Sequence, residues 1–236
     1  YMAMRYVRDN LHINPDSGVT VELVSDYWPI VWSHHYSLNG DSSMSVLCAA
    51  KVGDIDNFWN SYRSIYESAY TNYEPTITWT LRNHGLGASI GQGLEMQPQF
   101  IQAMISGFFG AEPYFGENRL ELIPAFPSDW DHAEITTTDF AYEYKKDDTA
   151  VSMHVTTPVD RILNAKLPVK ANIRAVTLNG QPVDYTIETA VNTSRVVVET
   201  RPGGDFHFRV KTAEPARVTG NLKVFIGEKS EFQVAG

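Results

Sequence analysis

Apolar residues recur at helical spacing through the first half of the chain. In residues 55–71 they fall at i, i+3, i+4 and i+7, which is typical of a helix with one buried face. A glycine and an aspartate, Gly53 and Asp54, separate this helix from the one before it, and Asp54 is the expected N-cap. The two helices are therefore predicted to form an αα-hairpin. The helices predicted by this spacing span 1–12, 42–52, 55–71 and about 98–109.

From residue 119 onwards the period changes to short alternating segments separated by turn residues. Such segments, with turns such as Asn179-Gly180, predict an antiparallel β-sandwich. Residues 193–212 are predicted to contain a β-hairpin. Helices followed by strands indicate a helical region at 1–118 and a β-sandwich at 119–236. The predicted strands are 119–126, 133–145, 149–157, 161–167, 172–178, 183–190, 194–200, 205–211 and 222–234.

The composition of the chain limits the classes of function that it can have. Hydrophobic residues make up 43% of the chain, which predicts a folded core, and the net charge of −9 without a basic run argues against nucleic-acid binding. No apolar run approaches the length that spans a bilayer. The single cysteine, Cys48, lies in an apolar run and is expected to be buried. No cysteine or histidine spacing resembles a zinc site, and no cofactor or metal is expected.

Two polar, irregular stretches are the candidates for a ligand site. The segment WPIVWSHHYSLNGD, residues 28–41, combines aromatic faces with hydrogen-bonding groups, as a sugar-binding surface does. The Gly-rich stretch 74–97 lies beyond the helical hairpin, and loops at one end of a helical bundle converge. The candidate sugar-binding residues are Trp28, Trp32, His34, His35, Tyr36, Asp41, Trp79, Asn83, His84 and Gln92.

Glu95 is the candidate catalytic carboxylate, because sugar hydrolysis uses carboxyl groups as acid and base. Structural alternatives stay open at this stage. Residues 28–41 also fit a buried loop between domains, Glu95 also fits a helix-start carboxylate, and Asp41 also fits an N-cap. In the sandwich, His154, His207 and Asp160 are scattered along the chain, and no cluster of candidate catalytic residues is expected there.

Three segments carry a resemblance to a known family. Residues 122–130, LIPAFPSDW, resemble the segment that joins the helical toroid to the β domain in six-hairpin glycosidases. Phe100–Met104 and Trp32–His35 are similar to a helix and a loop of the same enzymes. The layout is most similar to the alpha-L-fucosidase type of glycoside hydrolase family 95, and more distantly to families 78 and 65. The resemblance implies a partial (α/α)6 toroid followed by the sandwich.

The resemblance also implies an activity: hydrolysis of O-glycosyl bonds with inversion by a bacterial protein that is exported to the periplasm or the medium. Its substrate would be an oligosaccharide or glycoside, and its partner the N-terminal remainder of the same protein. Gln92 stands where the family has a catalytic aspartate, and the family's general acid comes from an earlier helix that this chain does not contain. The alternatives are a carbohydrate-binding or scaffold protein without catalysis, and an unrelated interaction module.

Overall fold

The computed structural model describes the helical region in part and most of the sandwich. The residues described are 2–13, 21–22, 36–72, 78–82, 85–87, 96–170, 172–200, 204–212, 217–220 and 232–235. Within these residues, helices precede strands, and the strands are arranged mainly in antiparallel sheets.

The first half contains helices and five short strands, which form two small sheets among the described residues. Its elements are α1 (Met2–Tyr6) with a wider π-helical turn at Val7–Leu11, β1 (His12–Ile13), β2 (Val21–Glu22), β3 (Tyr36–Leu38), α2 (Asn39–Val52), a 3₁₀ turn at Ile55–Asn57, α3 (Trp59–Asn72), β4 (Thr78–Arg82), β5 (Gly85–Gly87) and α4 (Met96–Gln102) with a π-helical turn at Ala103–Phe108. β1 pairs with β2, and β3, β4 and β5 form one small sheet.

Two details at the ends of the helices differ from the prediction. α2 begins at Asn39, so Asn39 and Gly40 lie in its first turn instead of breaking the chain before it. The first turn tolerates weak helix formers because its N–H groups have no partner within the helix. Within the described residues, Asp54 makes no side-chain capping bond to the turn that follows it. Its buried carboxylate instead accepts hydrogen bonds from Asn57, at 2.6 Å, and from Asn192 of the sandwich.

The second half forms two packed sheets. Its strands are β6 (Ala111–Tyr114), β7 (Arg119–Leu122), β8 (His132–Thr136), β9 (Ala141–Lys146), β10 (Ala150–Thr157), β11 (Ile162–Val169), β12 (Ile173–Leu178), β13 (Gln181–Pro182), β14 (Thr186–Thr189), β15 (Ser194–Thr200), β16 (Gly204–Thr212), β17 (Arg217–Gly220) and β18 (Phe232–Ala235). One sheet has the order β13-β12-β16-β10-β9-β8, and the other has the order β14-β15-β11-β7-β6. β17 pairs with β18 alone among the described strands.

Most strand positions match the alternating pattern, but the bounds of one predicted strand and one predicted pairing are wrong. The segment 133–145 contains two strands, β8 and β9, which pair with each other across a turn at 137–140. The predicted hairpin at 193–212 does not form, because β15 pairs with β11 and β14 in one sheet while β16 pairs with β10 and β12 in the other. The chain therefore crosses from sheet to sheet at this point.

One hydrophobic core joins the two sheets and the helices. Leu163 and Leu167 of β11 and Met153 and Val155 of β10 are fully buried, as the alternation predicts for inward positions. The same core includes Phe58 at the start of α3. Burial of these apolar faces stabilises the sandwich and attaches the helices to it.

An aromatic cluster forms the junction between the helices and the sandwich. Trp59 of α3 packs edge-on against Trp130, with ring centroids 5.1 Å apart, and Tyr62 stacks on Phe100 at 4.6 Å. Tyr62 is buried, and Trp59 packs against the hydrophobic core. The helix periodicity predicted this role for both residues. Cys48, in contrast, is exposed on α2, so the prediction of a buried thiol is wrong.

Candidate functional site

The small sheet of β3, β4 and β5 brings together parts of the two stretches predicted to bind sugar. In the ladder, Tyr36 lies opposite Thr80 and Trp79 lies opposite Ser37. Two predicted site residues, Tyr36 and Trp79, therefore occupy neighbouring positions on paired strands, although they are far apart in sequence. β4 and β5 pair with Arg82 opposite Gly85. Asp41 lies three residues after the end of β3, within the first turn of α2.

The other predicted site residues lie outside the described residues, so their roles stay predictions. They are Trp28, Trp32, His34, His35, Asn83, His84, Gln92 and the candidate catalytic Glu95. The structure thus tests the relation between the two stretches only through the pairing of β3 with β4.

A second polar site lies on the solvent-facing side of the six-stranded sheet, where the sequence predicted none. Strand pairing places residues from four strands in two parallel rows across this face. One row runs Glu134, Glu143, His154 and His207, and the next runs His132, Lys145, Ser152 and Arg209. Apart from Glu134, the residues of the two rows line a groove with a volume of about 740 Å³, whose walls also include Asp131, Lys146, Asp147 and Ala150.

Glu143 is the centre of the ion pairs at one end of this groove. Its Oε1 lies 2.7 Å from the Lys145 ammonium and 3.1 Å from Nε2 of His132. The Lys145 ammonium, and to a lesser extent His132, hold the pKa of the Glu143 carboxyl below its ordinary value. Glu143 is therefore a carboxylate at neutral pH, available to accept hydrogen bonds or to bind a cation.

His154 and His207 are exposed strand residues that are far apart in sequence but close in space. They lie directly opposite each other on β10 and β16, with ring centroids 6.1 Å apart. Asp160 lies elsewhere, just before β11. Polar residues at every second position of the strands were visible in the sequence, but which strands neighbour each other was not. The groove could therefore not be found from the order of residues alone.

Comparison with known proteins gives a fold and not a family. No protein-family model and no curated protein matches the sequence. Among solved structures, the chain is similar to an alpha-L-rhamnosidase from Dictyoglumus thermophilum, with 12% identity, a TM-score of 0.53, and coverage of 73% of this chain and 20% of that one. The fold is one that glycoside hydrolases use. This likeness does not single out the family 95 type among them.

Two further similar structures have TM-scores too low to support an argument. One is a Streptomyces avermitilis alpha-L-rhamnosidase complexed with L-rhamnose, with 13% identity, a TM-score of 0.49, and coverage of 72% of this chain and 17% of that one. The other is a GH127 beta-L-arabinofuranosidase from Geobacillus stearothermophilus T6, with 12% identity, a TM-score of 0.32, and coverage of 81% and 33%. The chain spans about a fifth of the length of the rhamnosidases it matches.

Proposed function

We propose that this chain is the C-terminal portion of a carbohydrate-active protein, a glycoside hydrolase that cleaves O-glycosyl bonds with inversion. The observation that carries the proposal is the shared fold with part of the Dictyoglumus thermophilum alpha-L-rhamnosidase. That likeness covers 73% of this chain. The resemblance of residues 122–130 to the joining segment of six-hairpin glycosidases supports the same interpretation. In this proposal the helices belong to a partial (α/α)6 toroid.

Within that protein, the chain contributes one wall of the sugar-binding cleft. The pairing of β3 with β4 supports this role, because it places the end of the first candidate stretch beside the start of the second. Aromatic residues from both stretches, Trp28, Trp32 and Trp79, would stack on sugar rings. His34, His35, Tyr36, Asp41, Asn83, His84 and Gln92 would bind hydroxyl groups, and Glu95 would act as the general base.

The remaining parts of the proposal concern partners and location. The substrate is an oligosaccharide or glycoside, and an N-terminal remainder of the same protein supplies the general acid. The protein is exported by a bacterium to the periplasm or beyond. Among the described residues, no helix combines the length and the apolar character that a bilayer crossing requires.

Sugar binding is the first test, and L-rhamnose heads the panel of monosaccharides because of the name of the matched enzyme. We expect one sugar of the panel to change the tryptophan fluorescence of the chain in a saturable way. Trp79→Ala should weaken that binding at least about tenfold, because aromatic anchors dominate such sites. His84→Ala should also weaken it. The matched control is His207→Ala, an exposed histidine on β16 of the six-stranded sheet, which should bind like the unaltered chain.

Hydrolysis separates the enzyme from the binding protein. In a longer form of the protein that releases a monosaccharide, Glu95→Gln should lower kcat at least about a hundredfold, the usual scale for a general base. Sugar binding without turnover by any longer form favours the carbohydrate-binding alternative, which the glutamine at position 92 motivates. If no sugar of the panel changes the fluorescence of the chain, both the glycoside hydrolase proposal and the carbohydrate-binding alternative are contradicted.

A further inference from the structure

Three potential metal ligands lie together at the β8 end of the groove: His132 and Glu143 line it, and Glu134 lies beside them on β8. A ring nitrogen of His132 and carboxylate oxygens of Glu134 and Glu143 all lie within 4.8 Å of one another. We infer that these three residues form a binding site for a zinc-class transition-metal ion. The site is distinct from the proposed sugar-binding wall and does not depend on the proposed function.

Strand pairing holds the three side chains on one face. His132 and Glu134 are two residues apart on β8, so both point to the same side, and Glu134 lies directly opposite Glu143 on β9. Two carboxylates facing each other across an antiparallel pair repel each other. A divalent cation bound between them would turn this repulsion into attraction.

The donor set favours a transition metal over calcium or magnesium. Imidazole together with carboxylates suits zinc, whereas calcium and magnesium prefer oxygen ligands alone. Bonds of about 2.0–2.2 Å to zinc place neighbouring donors of a tetrahedral ion about 3.4 Å apart, so small rotations of the side chains close the site. His132 and Glu134 are exposed, which leaves them free to make these rotations.

The metal would displace the Lys145 ammonium from Glu143. The Lys145 side chain is 59% exposed, so it can return to water, and an exposed ion pair contributes little to stability. His132 Nε2 already points at Glu143, and the ion would insert between those two atoms. His154 lies opposite Glu143 on the neighbouring strand β10.

Metal binding would also stabilise the attachment of an edge strand to the sheet. In the described part of the six-stranded sheet, β8 lies at the edge and pairs only with β9. A metal that takes two ligands from β8 and one from β9 holds the strands together in addition to their hydrogen bonds. Because a ligand that binds only the folded state stabilises it, zinc should raise the melting temperature of the chain.

The test is calorimetric titration of the 236-residue chain with zinc chloride, with magnesium chloride as the comparison. We expect one zinc ion per chain and a raised melting temperature, and no comparable effect of magnesium. Glu134→Gln and His132→Gln should each weaken zinc binding at least about tenfold, since even outer partners of a metal site have effects of that size. Both positions are exposed, so both variants should keep the circular dichroism spectrum of the unaltered chain.

Two controls locate the ion. Glu199→Gln, an exposed carboxylate on the other sheet, should leave zinc affinity unchanged. The double variant His34→Gln/His35→Gln removes the adjacent histidine pair, the other obvious source of imidazole, and should also retain the zinc site. Zinc binding that survives Glu134→Gln at full affinity, or that disappears in the His34→Gln/His35→Gln variant, overturns the assignment. Magnesium binding as tight as zinc binding, or the absence of zinc binding, also overturns the assignment.

Discussion

Gly110 occupies a position that a larger residue cannot take. Its φ is +63°, and a Cβ built there would overlap the backbone of Ile123, which follows β7. The Ile123 N–H donates to the Gly110 carbonyl at 3.0 Å, so the two segments cannot separate without losing that bond. We therefore expect Gly110→Ala to lower the free energy of unfolding by more than about 2 kcal/mol, above the strain of left-handed backbone alone. Urea denaturation measures this change in the free energy of unfolding.

The matched control separates the two causes. Gly180 also has a positive φ, of +78°, but a Cβ there meets no atom within 4 Å. Gly180→Ala should therefore cost only the backbone strain, about 1–2 kcal/mol. If the two variants were equally destabilised, the close approach to Ile123 would contribute nothing and the explanation for Gly110 would be wrong.

At the scale of elements, the end of α2 is held by the sandwich. Arg195 of β15 donates through Nη2 to the carbonyl oxygens of Lys51, at 2.8 Å, and Ala50, at 3.3 Å. The N–H of Val191 donates to the carbonyl of Val52 at 2.9 Å. These carbonyls belong to the last turn, where the helix itself leaves carbonyl groups without partners, although the Ala50 carbonyl also accepts from the Gly53 N–H at 3.2 Å. A cation at this end also interacts favourably with the helix dipole.

Removing this cap should destabilise the whole chain. We expect Arg195→Met to lower the free energy of unfolding by about 1.5–3 kcal/mol, the range for hydrogen bonds that involve a charged group. Thermal and urea denaturation both measure this change. Arg174→Met, at an exposed position on β12, is the control and should stay within about 0.5 kcal/mol of the unaltered chain. Equal stability of the two variants would mean that water replaces Arg195 at these carbonyls without loss.

Element positions were predictable from the sequence, and their partners were not. Alternation located most of the sandwich strands, because it depends on which residues face the core. It could not show that β15 and β16 belong to different sheets, because a hairpin and a crossover to the other sheet give the same alternating pattern. The same limit hid the row from Glu134 to His207, whose members come from separate strands. Of the predicted sugar-binding site, the structure shows only that Tyr36 and Trp79 lie on paired strands.

At the scale of the whole molecule, the corner between α2 and α3 fits into the sandwich through polar contacts. Asp56 accepts a hydrogen bond from the Ser128 N–H and pairs with Lys170 at 3.1 Å. Burial alone would raise the pKa of Asp56, but these two partners outweigh it and hold the pKa below its ordinary value. Asp54 of the same corner reaches Asn192. Contacts of this kind, together with one continuous core, connect the helices to both sheets.

We therefore predict that the helices and the sandwich unfold in a single transition, although the sequence divides them at residue 118. Far-UV circular dichroism near 222 nm follows the helices. Tryptophan fluorescence in a variant that keeps only Trp59 and Trp130, with the other three tryptophans changed to phenylalanine, follows the junction. The two midpoints in urea should coincide, as two-state unfolding requires. Arg195→Met provides the sharper form of the test, because Arg195 lies in the sandwich and yet holds α2. It should shift both midpoints equally. A helical transition that moves while the junction signal stays in place would show that the region before residue 119 unfolds independently of the sandwich.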